Sequence, residues 1–210
     1  MRCGARGAAV RVRERGDEGR HGGLAGRGER LGGGRATGTV VEGGDERPRG
    51  RGVADLAQGL GGSLAHGDPA SELPALAVTC GATIEVAGPA GKRRLPAESF
   101  FLSPLVTALE TNEIILSVRF PPWPAGRKYG FREFSRRKGD FALAGAIAFF
   151  DIKDGRICPP RIGAFGVGDQ PARLTDAEQA LLGKDPNPDV FSRAAAIGAQ
   201  SLEFRSDIHA

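Results

Sequence analysis

The residues best suited to chemistry lie in Gly61-Gly62-Ser63-Leu64-Ala65-His66-Gly67-Asp68-Pro69, followed at once by Glu72-Leu73-Pro74. Consecutive glycines let a phosphate approach the backbone and meet its N–H groups without side chains in the way. Ser63 adds a hydroxyl, and Glu72 is placed to accept hydrogen bonds from sugar hydroxyls. A Gly-Gly pair at the edge of a helix also serves as a plain turn, and the pattern by itself leaves both readings open. His66 has no sequence partner that would make it a general base, so a structural role is expected. Cys3, Cys80 and Cys158 are far apart and form no CxxC pair, which speaks against a zinc or iron-sulfur site. The basic run Arg136-Arg137-Lys138 reads as a solvated turn.

These residues need elements to hold them. Glu72 to Cys80 places Leu73, Leu76 and Ala77 on one side of a short helix, and Ala82 to Ala87 alternates as a strand that points Ile84 and Val86 the same way. Gly88-Pro89-Ala90-Gly91 turns the chain so that Lys92 to Leu95 can pair back as a hairpin. After a connector from Pro96 to Phe101, Glu113 to Phe120 forms a further strand, stopped by Pro121-Pro122. The three prolines between Pro121 and Gly126 predict a linker between two subdomains. Beyond it, strands are predicted at Tyr129 to Arg136, Ala142 to Ile152 and Arg156 to Phe165. Asp154-Gly155 supplies the type I′ turn between the last two. Thr175 and Glu178 have capping-box spacing for one helix, and Asp189 to Leu202 forms another. The predicted class is α+β, two small subdomains built on antiparallel sheet.

The chain before this region is different. Residues 1 to 58 lack Phe, Ile, Tyr, Trp, Lys and Asn, and hold 12 Arg against 8 acids, whereas residues 59 to 210 balance 17 bases with 17 acids. The net charge of +4 therefore belongs to the tail and says nothing about the folded part. Acids at Glu14, Asp17, Glu18, Glu29 and Glu42 break up any basic patch, so no nucleic-acid partner is expected. Gly, Arg and Ala without AT-codon residues is what a GC-rich gene yields out of frame; residues 1–58 are expected to be a disordered or out-of-frame tail. No leader is visible, and the longest apolar run, Phe141 to Phe150, is too short to cross a bilayer. A cytoplasmic protein without a membrane span is expected.

Three segments, in order, resemble the FAD-binding (medium) subunit of molybdenum hydroxylases, the carbon monoxide dehydrogenase and xanthine dehydrogenase flavoprotein family. Gly61 to His66 with Asp68-Pro69-Ala70 and Glu72-Leu73-Pro74 is similar to the family's second FAD-binding segment. Asn112 to Pro121 is similar to the strand that closes its FAD domain, and Tyr129 to Phe141 to the opening of its C-terminal domain. The resemblance implies the second half of a PCMH-type FAD-binding domain, a mixed or antiparallel sheet with helices, at 59–122. A flavoprotein C-terminal domain of three antiparallel strands plus helices, without its last helix, is implied at 127–210. It also implies FAD contacts from Gly59, Leu60, Gly61, Gly62, Ser63, Glu72, Ile115 and Arg132, with no catalytic side chain and no metal ligand. Gly59 stands at the place where the family usually has Thr, two positions before Gly61, and Arg132 where the xanthine dehydrogenase branch has Lys. The family's upstream glycine loop has no counterpart in residues 1–58. The implied role is electron relay from iron-sulfur clusters through FAD to an acceptor such as NAD or quinone. Molybdopterin and the iron-sulfur clusters would then reside in a large and a small partner subunit. The alternative is a truncated, non-catalytic remnant unable to hold FAD.

Overall fold

A computed structural model of the chain describes residues 9–13, 38–42, 51–137 and 140–202. Its first half contains β1 (Ala9–Arg13), β2 (Gly38–Glu42), α1 (Arg51–His66), α2 (Glu72–Cys80), β3 (Thr83–Gly88) and β4 (Gly91–Pro96). A single 3-10 turn at Ala97–Ser99 leads to the small hairpin β5 (Phe101–Ser103) and β6 (Val106–Thr107), then to β7 (Ile114–Arg119). After the proline linker come β8 (Lys128–Phe134), β9 (Ala144–Lys153), β10 (Arg156–Phe165), β11 (Ala172–Arg173), α3 (Thr175–Leu181) and α4 (Pro188–Gln200). One sheet runs β2-β1-β7-β3-β4 and the other β11-β10-β9-β8; every pairing in both is antiparallel.

The local rules hold for the hairpins. Asp154 and Gly155 both take positive φ, 53° and 74°, as the two-residue turn between β9 and β10 requires. Helix α2 stops where Gly81 enters the left-handed region and returns its N–H to Val78, while Ala82 donates to Ala77, a Schellman closure. Ile84, Val86 and Val118 then face one way and close a fully buried core with Leu64 of α1 and Phe100.

Four features depart from the sequence expectation. Helix α1 straddles the predicted boundary at residue 58, because Leu60 and Leu64, one helical turn apart, both bury themselves against the first sheet. Two backbone segments before residue 50 are strands in that sheet, although the tail was expected to hold no structure; the rest of residues 1–50 lies outside the described residues. The second sheet has four strands, since Ala172 and Arg173 pair with Ala164 and Gly163. The capping box at Thr175 does not form: Leu174 occupies the N-cap position with no side-chain bond. Glu178 instead turns back to accept from Ile162 N–H at 2.9 Å and from Arg173, a buried arrangement that outcompetes a local cap. Helix α4 is capped by Asn187, whose side chain accepts from Val190 N–H.

The halves join where α2 lies across the second sheet. Ala75 and Leu76 pack on Ile147, Phe165 and Ala142, and Gly163 opposite α2 carries no side chain. A Cβ built on Gly163 would lie 1.8 Å from Thr79 Oγ1, whose hydroxyl already donates to Ala75 O at 2.7 Å. The linkage is reinforced by Gly166 N–H donating to Pro69 O and by Arg173 donating to Glu98 at 2.6 Å.

Two outcomes follow from these contacts. Gly163→Ala must push α2 off the sheet and should cost roughly 1–3 kcal/mol in urea unfolding; an unchanged midpoint would show that the joint gives freely. Glu113, bonded by Arg93 at 2.7 Å and by Glu110 N–H, has its carboxyl held down at about 2. Because that folded value is depressed, its stabilisation is full above the usual carboxylate range and disappears as pH falls through it towards about 2. Acid unfolding should therefore be shallower in Glu113→Gln over that window, and identical profiles would refute the linkage.

Candidate cofactor-binding site

The glycine segment is placed on α1 by the burial of Leu60 and Leu64, which turns Gly59 and Gly62 outward. No atom of a described residue comes within 4 Å of a Cβ built on either glycine, so the helix surface is bare at these two positions. Gly61, Gly62 and Ser63 are themselves helical, and in an α-helix each N–H is spent on the carbonyl four residues back. The segment therefore offers a ligand close approach to a bare surface, with no open loop of backbone donors. At its end Ser63 Oγ lies 2.9 Å from Ser71 Oγ, which ties α1 to the start of α2 and leaves the N-cap of α2 without its own side-chain bond.

Glu72 follows Ser71 directly and stands at the rim of a cleft of about 450 Å³. Leu73 and Leu76 of α2 form one wall; Trp123, Tyr129, Phe131, Ile147 and Phe149 form the floor and the other. Arg127 braces this wall. Its guanidinium sits 4.9 Å from the Trp123 ring centre and 5.0 Å from that of Phe149, and it holds Asp151 with two bonds of 2.9 and 2.7 Å. The Asp151 carboxylate raises the pKa of Arg127 further, so that cation is permanent and already paired. Tyr129 is 78% exposed and Trp123 51%, an apolar surface open to a flat ring. At the C-terminal end of α2, burial pushes the Cys80 thiol up to about 11, which keeps it protonated and removes it as a nucleophile.

Of the residues selected from sequence, Gly59, Leu60, Gly61, Gly62, Ser63 and Glu72 form one continuous track through the Ser63–Ser71 contact, with Leu60 facing inward as its anchor. Ile115 is buried in the first core with Val86 as its partner on β3, beneath the track and away from the cleft. Arg132 lies on the opposite face of the second sheet. Its neighbour Phe131 stacks on Phe165 on the α2 side, so Arg132 points with Ala146 and Ala164 towards α3 and α4. The aromatic walls were not foreseen. The available signal was composition: the chain's sole Trp and sole Tyr stand six positions apart across a proline linker.

The geometry fits a ligand with a flat ring and a hydroxylated arm better than a catalytic side-chain cluster. Residues 57–123 match the FAD binding domain in molybdopterin dehydrogenase, and residues 129–210 match the CO dehydrogenase flavoprotein C-terminal domain. The chain belongs to the flavoprotein (FAD-subunit) family of molybdenum hydroxylases, a family of oxidoreductase subunits. It is 39% identical over 150 residues to the nicotine 6-hydroxylase medium subunit of Paenarthrobacter nicotinovorans, covering 71% of this chain and 52% of that relative. It is 30% identical over 148 residues to the carbon monoxide dehydrogenase medium chain of Afipia carboxidovorans, covering 70% and 51%. Among solved structures, carbon monoxide dehydrogenase from Hydrogenophaga pseudoflava superposes with a TM-score of 0.69 at 32% identity, over 76% of this chain and 55% of that one. The chain thus spans about half the length of the relatives it matches. No helix among the described residues is long and apolar enough to cross a membrane.

If the bare strip serves a ligand and the helix itself does not need it, glycine at position 62 only costs helix stability. Gly62→Ala should then stabilise the chain by up to about 1 kcal/mol in urea unfolding, and a loss of stability would assign Gly62 a packing role instead.

Proposed function

We propose that this chain is the FAD-holding part of a molybdenum hydroxylase medium subunit, and that it relays electrons from iron-sulfur clusters of a small partner subunit to an acceptor such as NAD or quinone. The large partner would carry molybdopterin and oxidise the substrate. The observation that carries the reading is the unbroken run from the bare strip at Gly59 and Gly62, through Ser63 and Ser71, to Glu72 and the aromatic cleft. When bound, FAD supplies the redox chemistry. The chain's own residues do the positioning. Gly59 and Gly62 allow close approach of the pyrophosphate, Glu72 accepts from hydroxyls of the cofactor, and Trp123, Tyr129, Phe131 and Phe149 exclude water from a ring lying against them.

A second reading has its own support. With the N–H groups of Gly61, Gly62 and Ser63 spent inside α1, the strip supplies no backbone donors to a diphosphate, which favours a remnant that cannot retain FAD. Titration with FAD separates the two, since the chain's only Trp, Trp123, lines the cleft and its emission should fall as a flavin fills it. Saturable quenching is expected, with Gly62→Val weakening it at least about tenfold because a branched side chain blocks the strip. The absence of any saturable change, with the protein folded, would leave the remnant reading.

A further inference from the structure

We propose that the outer face of the first sheet carries a second site, one for a small oxyanion of the phosphate or carboxylate type, held by the guanidinium groups of Arg94 and Arg119. This face is opposite the one on which α1 and α2 pack, so the site is independent of the cofactor track. Register brings the residues together. Arg94 pairs across to Glu85 and Glu85 across to Ser117, while one row along Arg119 pairs with Thr83. Directly opposed residues share a face at about 5 Å, and these five side chains line a pit of about 140 Å³ with no apolar side chain among its described lining residues.

The charge in the pit is not balanced. Among the described residues two arginines face one carboxylate, a net of +1, and that carboxylate is divided: Glu85 accepts from the Ser117 hydroxyl at 3.2 Å and comes no closer than 3.8 Å to Arg94 Nε. Arg119 has no ion pair with any described residue. Two forked donors converging on a small polar pit are the arrangement that binds an oxyanion through paired N–H bonds. The Thr83 hydroxyl adds a donor from the strand between them. Glu85 acts as the internal competitor, holding Arg94 loosely until an external anion displaces it.

The test is a titration of the full chain with inorganic phosphate and, separately, with acetate at low ionic strength, following the side-chain Nε–H resonances of Arg94 and Arg119 by NMR. Saturable shifts of both are expected. Arg94→Gln and Arg119→Gln should each weaken binding about three- to tenfold, and Glu85→Gln should tighten it by a similar factor. Both arginines reach solvent, so neither substitution removes core packing, and a thermal melt checks this. Saturation by phosphate alone identifies a phosphoryl ligand, and saturation by both admits carboxylates; either supports the site. Linear, unsaturable shifts, affinity indifferent to Arg119→Gln, or weaker binding in Glu85→Gln would overturn it.

Discussion

The seating of α2 on the second sheet is the constraint on which the rest depends. Thr79 occupies the space where a side chain at Gly163 would stand, and Ala75 meets Ile147 and Phe165 at the same surface. An approach this close allows essentially one placement of the helix, because packed surfaces do not deform continuously. The N-terminus of α2 carries Glu72 and its first turns carry Leu73 and Leu76, so seating the helix also fixes one wall of the cleft against the other. The proline linker could not do this, since it joins the halves without any regular element between Pro121 and Gly126.

Polar contacts refine the joint. Arg173 bridges Glu98 of the first half and Glu178 of the second, and Glu178 also holds Ile162 N–H, so one arginine couples the connector after β4 to the buried edge of the second sheet. Arg127 serves a comparable purpose on the cleft side, where it is stacked against Trp123 and Phe149 and doubly bonded to Asp151. Each desolvated charge has its partner, and among the described residues no buried side-chain polar atom is left without one.

In the glycine segment tertiary burial sets a backbone state that a Gly-Gly pair by itself leaves open. Gly61-Gly62-Ser63 resembles a phosphate loop, yet Leu60 and Leu64 gain more by burial on a helical face, and here the segment is helical. The functional question reduces to whether a ligand can recover the donors that the helix consumes. The relatives, of which this chain spans about half the length, present the corresponding regions together with a further stretch that this chain does not match.

Short-range features were legible from sequence because their causes are local. The β3–β4 and β9–β10 hairpins, the bounds of α2 and the break at Pro121 depend on period, glycine φ and missing donors, all of which travel with a few adjacent residues. The family was legible from three ordered segments for a similar reason. The sequence alone could not decide which predicted site residues would meet. Ile115 and Arg132 sit in strands whose facing depends on register and on which helix covers which side, and tertiary packing turned one into the core and the other onto the far face. The aromatic cleft also arose only from tertiary structure, since its walls come from α2, the linker, β8 and β9, whose proximity is set by the absence of a side chain at Gly163.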